Sequence, residues 1–126
     1  MIPTTTKEWV FTAAQTDFAL ETLSSTQRMV IKYGQATCSN SNSGDVSLRV
    51  GFATTTMPTI SNDSATGATG VFMSHPGIAK GGGMVVSNGG APIATGAVSE
   101  DLRITCSAAT GGSVRLVLTF WIEEFV

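Results

Sequence analysis

The sequence predicts an all-β protein, an antiparallel β-sandwich of about seven or eight strands in a jelly-roll-like arrangement. Three observations lead to this fold class. Apolar and polar residues alternate along several short segments, residues typical of turns separate these segments, and no long stretch has the periodicity of a helix. The chain has 126 residues, a length that suits a single domain.

The clearest predicted strand lies in residues 111–126. Its even positions form an apolar face made of Val114, Leu116, Leu118, Phe120 and Ile122. Its odd positions are mixed and include Val117, Trp121 and Phe125. A strand of this length normally pairs along both edges, so we expect it to be central in its sheet with the even face in the core. The odd face then needs either a second covering layer or contact with another chain.

The chain is expected to consist of an extended N-terminal arm and one sandwich domain. Residues 1–7 are the predicted arm, because Pro3 lacks a backbone donor and the three threonines after it favour an extended chain over a helix. Residues 8–126 are the predicted domain, and they contain no internal repeat.

Two strands are predicted near the N-terminus. Alternation around Trp9 indicates a first strand at residues 8–13. Residues 17–22 alternate as a second strand. A short helix at 16–23 is the alternative for this segment, because alanine, leucine and glutamate are good helix formers.

Two hairpins are predicted from pairs of alternating runs. Residues 28–37 are expected to pair with residues 46–53 across a loop rich in serine and asparagine. Residues 100–106 are expected to pair with the final strand across a turn at 108–112 that contains two glycines.

The middle of the chain is predicted to be mainly loop. Residues 54–70 carry few apolar anchors and are expected to form an extended segment that crosses between sheets. Short strands are expected at 71–73 and 84–86, with a turn at 75–78. The glycine-rich loop at 80–96 is of a length that is usually functional or held by a neighbour.

Composition and charge argue against several classes of partner. Charged residues make up 13% of the chain, about half the usual fraction, and the net charge is −2. This composition offers no electrostatic footprint for nucleic acid or an anionic membrane, and no apolar run is long enough for a transmembrane helix. The first residues lack a basic region followed by an apolar core, so we expect synthesis in a cytoplasm without secretory export.

No catalytic site and no cofactor are predicted. His75 is the only histidine, and a lone histidine in a loop is more often structural than a general base. The adjacent acids Glu100 and Asp101 point to opposite faces of a strand, as do Glu123 and Glu124, so neither pair suits acid–base chemistry. Glu100 and Asp101 are instead expected to cap a strand start in solvent. The glycine triplet lacks the ending of a phosphate-binding loop.

No metal site is predicted, because the chain has no CxxC pair and its loop asparagines and aspartates match no calcium-loop spacing. Cys38 and Cys106 each end a predicted strand. In a reducing compartment both are expected to be buried thiols. A disulfide between them is the alternative if the protein later meets an oxidising medium.

The residues most suited to contact a partner are an aromatic and apolar set together with the start of the glycine-rich loop. They are Trp9, Val117, Trp121, Phe125, Gly81, Gly82, Gly83 and Met84. Large apolar side chains anchor protein interfaces, but they also fill cores, so both interpretations stay open for the aromatic members. Exposed aromatic rings also stack on sugars, which makes a carbohydrate the alternative partner.

Two C-terminal segments resemble small structural proteins of tailed bacteriophages. They are HPGIAKGGGMVV at residues 75–86 and SEDLRITCSAATGGSVRLVLTFWIEE at residues 99–124. Those proteins likewise combine a glycine-rich loop, a DLRIT-type strand and an aromatic, acidic final strand. The resemblance implies a capsid decoration (cement) protein, β-rich and commonly trimeric, that holds neighbouring capsomers together.

The resemblance also implies a function, a partner and a location. The expected function is that of a virion structural protein, not an enzyme, that binds the major capsid protein as a homo-oligomer and stabilises the lattice. The protein is expected to be made in the host cytoplasm and to act on the capsid surface. The alternative is a tail-associated or surface β-sandwich that binds a carbohydrate or a receptor.

Overall fold

A computed structural model describes residues 3–54 and 70–125. In these ranges the protein is all-β, with nine strands in two antiparallel sheets. The strands are β1 (Thr5–Phe11), β2 (Gln15–Glu21), β3 (Gln27–Cys38), β4 (Val46–Ala53), β5 (Val71–Ile78), β6 (Gly83–Ser87), β7 (Ala94–Thr95), β8 (Asp101–Cys106) and β9 (Val114–Glu124). No helix in the described part of the chain is long and apolar enough to cross a membrane.

The strand order is that of a jelly roll. The front sheet has the order β1-β9-β3-β6, with the short β7 also paired to β3, and the back sheet has the order β2-β8-β4-β5. The pairs β1–β9, β2–β8, β3–β6 and β4–β5 make the chain one long hairpin whose successive pairs alternate between the sheets. A hairpin rolled up in this way is the double Greek key of the jelly roll, so the predicted fold class is confirmed.

Both predicted hairpins are wrong. β3 lies in the front sheet and β4 in the back sheet, and the same separation holds for β9 and β8. Their connecting loops, residues 39–45 and 107–113, carry the chain across the sandwich instead of turning it back beside itself. The alternation of side chains is the same in both arrangements, because a strand buries one face whether its sequence neighbour lies beside it or opposite it.

Several element boundaries differ from the predicted ones. β1 begins at Thr5 and so includes the last residues of the predicted arm, and the segment predicted as strand or helix is the strand β2. The predicted turn at 75–78 is wrong, because β5 continues to Ile78. Pro76 is tolerated there since β5 is the edge strand of the back sheet. The predicted crossing segment at 54–70 lies almost wholly outside the described residues.

The core fills the space between the two sheets, and β9 contributes most regularly to it. β9 pairs with β1 on one edge and β3 on the other, as predicted for a central strand. Its even positions are buried from Val114 to Phe120, but Ile122 is 37% exposed. The even face is therefore core only until the strand passes the edge of the sandwich. Gly34 on β3 lets the sheets approach closely, because a Cβ there would lie 2.9 Å from the Met73 sulfur.

The loops at one end of the sandwich are tied together by main-chain hydrogen bonds. Ser39 N–H donates to the Ser113 carbonyl at 3.0 Å, and Ala109 N–H donates to the Thr12 carbonyl at 3.0 Å. Asn42, only 2% exposed, lies inside this group of loops, and its side-chain amide donates to the Ser113 carbonyl at 3.4 Å. The asparagines and serines that predicted turns therefore help to fix the loops that carry the chain from one sheet to the other.

Candidate interaction surface

The candidate interaction surface is the outward face of the front sheet, where side chains stand in rows that cross the strands. From β1 to β6 the two central rows are Glu8, Val117, Gln35 and Val85, and Thr6, Thr119, Tyr33 and Ser87. We call these eight residues the front face. Glu8 is their single charged member, and its carboxylate lies 2.7 Å from the Arg115 guanidinium. Apart from the Glu8–Arg115 pair, the front face is therefore uncharged, and half of its side chains carry a hydroxyl group.

Val117 and Trp121 both lie on this side of the front sheet, half-buried, as the odd positions of β9. The described strands form only two layers, and neither layer lies over this side. No described strand therefore forms a second layer over Val117 and Trp121, which favours contact with another chain as the alternative. What partly covers the aromatic residues is the protein's own cationic side chains.

Trp121 is a half-buried, partly shielded aromatic residue on the outward side of the front sheet. The Lys32 ammonium lies 6.0 Å from the centre of the Trp121 ring. Val30, which lies opposite Trp121 on β3, is only 3% exposed. The pKa of the nearby Glu123 carboxyl is lowered, first by its hydrogen bond from Arg28 and then by the Trp121 N–H. No acceptor among the described residues meets hydrogen-bond geometry at the buried Trp121 nitrogen, so that second effect is the weaker one.

Phe125 lies just beyond β9 at the end of the sandwich opposite the tied loops. Its ring is 41% exposed, and the Arg28 guanidinium lies 4.8 Å from the ring centre. Arg28 also contacts Glu123 at 2.5 Å. A cation held over an aromatic face gains electrostatic energy and covers apolar surface with its aliphatic stem. Phe125 is consequently part of a local cluster rather than of the front face.

Trp9 lies on the opposite side of the front sheet from Trp121. It belongs to the inward positions of β1 and packs against the core, with the Lys7 ammonium 5.4 Å from the centre of its ring. Both tryptophans sit in the middle of strands, so they do not form a shared platform for stacking on a sugar. This arrangement does not favour the carbohydrate alternative.

The glycine triplet forms the connection between β5 and β6. Gly81 has a φ of +73°, a left-handed conformation that favours glycine, and its N–H donates to the Cys38 carbonyl at 3.0 Å. Gly82 N–H closes the turn on the Ala79 carbonyl at 2.8 Å. Gly83 and Met84 then begin β6, with Met84 facing inward. These predicted contact residues lie at the edge of the front sheet, away from Trp121 and Phe125.

The ionisable candidates have structural contacts. The ring nitrogen Nδ1 of His75 accepts a hydrogen bond from the Gly77 N–H at 3.0 Å. Asp101 was expected in solvent, but its side chain is 13% exposed and accepts a hydrogen bond from the Leu23 N–H at 3.0 Å. The expectation of a solvent cap is therefore wrong for Asp101. Within residues 3–54 and 70–125, no three metal-binding side chains of the His, Cys, Asp and Glu types are clustered.

The two cysteines are free and buried at the tied-loop end. Cys38 ends β3 in the front sheet, and Cys106 ends β8 in the back sheet. Burial raises the pKa of both thiols, so both are protonated at neutral pH.

Arg103, on the outward face of the back sheet, is the most highly bonded side chain that sequence reasoning missed. Its side chain is 15% exposed and donates to the carbonyls of Asp17 at 2.8 Å, Thr54 at 2.7 Å and Ala53 at 3.2 Å. It also pairs with Asp101 at 3.0 Å. Arg103 thus links β2, β8 and the end of β4. Its acceptors are mainly backbone carbonyls, which leave no signal in the sequence.

Comparison with solved structures finds overlaps at low identity. A chain from the disulfide-linked pili of Bacillus endospore appendages is 14% identical, with a TM-score of 0.47, over 100% of this chain and 88% of that one. The IMPa metallopeptidase from Pseudomonas aeruginosa is 16% identical, with a TM-score of 0.35, over 98% of this chain and 13% of that one. A chain from the extra small virus of the prawn Macrobrachium rosenbergii, solved as a virus-like particle, is 17% identical, with a TM-score of 0.34, over 94% and 78%.

No protein-family description and no curated protein sequence matches the chain. At these identities and TM-scores, the structural overlaps assign neither a family nor a function.

Proposed function

We propose that this protein is a virion structural protein that acts through protein–protein contacts. In its specific form, the proposal is a capsid decoration protein that binds the major capsid protein and stabilises the lattice. The front face is the observation that carries it. The jelly-roll strand order is compatible with this function, since viral capsid and lectin domains use it, but a fold alone does not set a function.

The front face suits a contact with another protein because covering it costs little desolvation. Burying an unpaired charge is expensive, whereas a hydroxyl or amide can exchange a water hydrogen bond for one to the partner. Tyr33 and Val117 supply aromatic and apolar area near its centre, where protein interfaces are depleted in charge. The Glu8–Arg115 pair lies at the β1 side, at the margin of this area.

The proposal is tested by mixing the purified protein with virus-like shells made of the major capsid protein, followed by sedimentation and electron microscopy. We expect saturable co-sedimentation and density on the shell surface. Binding of the decoration protein to the native lattice then raises the melting temperature of the shell, because a ligand of the folded state stabilises that state. Absence of density at saturating protein contradicts the proposal.

A charge placed on the front face tests the surface itself. Thr119→Lys puts an ammonium in the central row, and Thr16→Lys puts the same group on the exposed edge of the back sheet as a matched control. We expect Thr119→Lys to weaken shell binding at least tenfold and Thr16→Lys to leave it unchanged. Equal affinities for the two variants, both folded by circular dichroism, contradict the assignment of the front face.

A further inference from the structure

β6 differs from the edge strands β1, β2 and β5, and from the two-residue edge strand β7, in carrying no protection against strand pairing. β1 carries Lys7 and Glu8, β2 is distorted at Asp17, which has a φ of +46°, and β5 contains Pro76. Charges, distortions and prolines are the devices by which proteins block edge-to-edge pairing. β6 has the sequence GMVVS, and no charged residue occurs between Lys80 and Glu100.

The hydrogen bonds of β3 show which backbone groups of β6 point outward. Cys38 N–H donates to the Gly82 carbonyl at 2.9 Å, whereas Ser39 N–H donates to the Ser113 carbonyl, on the β9 side, at 3.0 Å. Bonding directions alternate along an antiparallel strand, so the even-numbered positions near the end of β3 bond to β6. Their partners in β6 are Met84 and Val86.

The N–H and C=O groups of the odd positions of β6 therefore point away from β3. These positions are Gly83, Val85 and Ser87, and no described residue hydrogen-bonds to their backbone groups. Among the residues that the structure describes, Val85 is also the most exposed large apolar residue, at 58%. The edge offers three donors and three acceptors at the spacing that a further strand requires.

We propose that β6 pairs with β6 of a second copy of this chain, antiparallel and about a two-fold axis at Val85. In this register Gly83 lies opposite Ser87 of the second copy, and Met84 lies opposite Val86 of the second copy. All five residues of the strand are used, and the six outward backbone groups of each copy are satisfied. The two front sheets join into one continuous sheet.

Charge and shape favour a second copy as the occupant. In this register Val85 faces Val85, Gly83 faces Ser87 and Met84 faces Val86, so no like charges meet across the two-fold axis. The inward residues Met84 and Val86 line a groove of about 490 Å³ between the edges of the two sheets, together with Phe72 and Ile93. The second copy lies beside the mouth of this groove and reduces its exposure.

The size of the contact predicts a weak dimer. A pair of five-residue strands buries less area than a standard stable interface, which covers about 1,200–2,000 Å². We therefore expect a dissociation constant between about 10 µM and 1 mM, so that the pairing becomes complete only at high local concentration, as in an assembly. The pairing does not depend on the proposed capsid function.

The test uses the protein alone, by sedimentation equilibrium and light scattering up to about 1 mM protein, the upper limit of the expected dissociation constant. We expect a monomer–dimer equilibrium. Val85→Pro removes one outward donor without touching the bonds to β3, and it is expected to weaken dimerisation at least tenfold. Val10→Pro is the matched control, because Val10 is 54% exposed and lies on β1, the opposite edge of the same sheet, where its backbone N–H also points away from the neighbouring strand. This variant is expected to leave the dimer intact.

Amide hydrogen exchange of the unmutated protein gives a readout that does not depend on whether a variant folds. On raising the concentration, the amides of Gly83, Val85 and Ser87 are expected to gain protection, while those of Met84 and Val86 are already protected by β3. A monomer at all concentrations, a trimer that Val85→Pro leaves unchanged, or exchange at the three odd amides that ignores concentration each overturns the proposal.

Discussion

The two outward faces of the sandwich differ in what their side chains bond to. On the back sheet, Arg103 donates hydrogen bonds to backbone carbonyls of Asp17, Ala53 and Thr54 and pairs with Asp101, all within the chain. On the front sheet, the central side-chain contacts are the Thr6–Thr119 hydrogen bond at 2.9 Å and the Glu8–Arg115 ion pair.

This difference separates stability from assembly. A face whose polar groups are already paired within the chain contributes to folding and has little left to offer a partner. A face whose hydroxyl, amide and apolar groups make few side-chain contacts within the chain contributes less to folding and can exchange its water for a partner at low cost. We therefore expect substitutions on the back face to change the free energy of unfolding and those on the front face to change binding.

Arg103→Ala is expected to have the largest effect on stability. The variant removes the Arg103 hydrogen bonds to the backbone carbonyls of Asp17 and Thr54 and the cation beside Asp101, at a cost of about 2–4 kcal/mol. Arg103 bonds its acceptors from three separate nitrogens, and the single nitrogen of lysine cannot span them, so Arg103→Lys recovers only part of the loss. The free energy of unfolding is measured by urea denaturation.

Arg115→Ala is the control on the front sheet. Arg115 is exposed and makes one ion pair with Glu8, so its removal is expected to change stability little. If Arg103→Ala and Arg115→Ala destabilise the protein equally, the proposed contrast between the two faces is wrong.

The fold class was predictable from the sequence because it depends on alternation, and alternation reports only which face of a strand is buried. The even face of β9 and the strand identity of β2 follow from it directly. The pairing of β3 with β9 does not, since nothing in the residues 28–37 distinguishes a neighbour in the same sheet from one across the core. The loop at 39–45 is compatible with both paths, and its hydrogen bonds to distant loops decide between them.

The candidate site was predicted in part, for the same reason. Alternation correctly put Val117 and Trp121 on the side of β9 away from the core. Trp9 was grouped with them because it is aromatic, but the register of β1 against β9 turns it inward. Val85, at the centre of the unprotected edge, was not singled out, because an edge is defined by the absence of a neighbouring strand.

Trp121 lies on the outward side of the front sheet but also covers part of the protein's own surface, so it bears on both stability and binding. We expect its substitution to reduce stability less than the substitution of Arg103 does. Trp121→Ala uncovers the buried Val30 and leaves Lys32 without its ring, which is expected to cost about 1–2 kcal/mol. Trp121→Phe keeps most of the apolar area and removes an N–H that lacks an acceptor, so stability is expected to stay within about 0.5 kcal/mol of the original.

Urea denaturation of both variants checks this prediction. A loss in Trp121→Phe as large as that in Trp121→Ala shows instead that the indole N–H makes an important hydrogen bond. In that case Glu123 is the acceptor to examine, because the Trp121 N–H contributes to lowering its pKa.

The smallest expected effect is a change in the acid stability of the front sheet. Bonds from Arg115 and Arg28 lower the pKa of Glu8 and Glu123, respectively, in the folded protein. A carboxyl with a lowered folded-state pKa stabilises the protein above its unfolded-state pKa of about 4.3, and this contribution is lost as the pH falls through the folded-state value. The Glu8→Gln and Glu123→Gln variants should therefore lose less of their stability than the original protein does when the pH falls from about 6 to about 3.

Thermal melts across this pH range measure the difference in stability, and high salt should reduce that difference because both ion pairs are exposed to solvent. Identical acid profiles for the original protein and both variants show that the two ion pairs form without stabilising the fold.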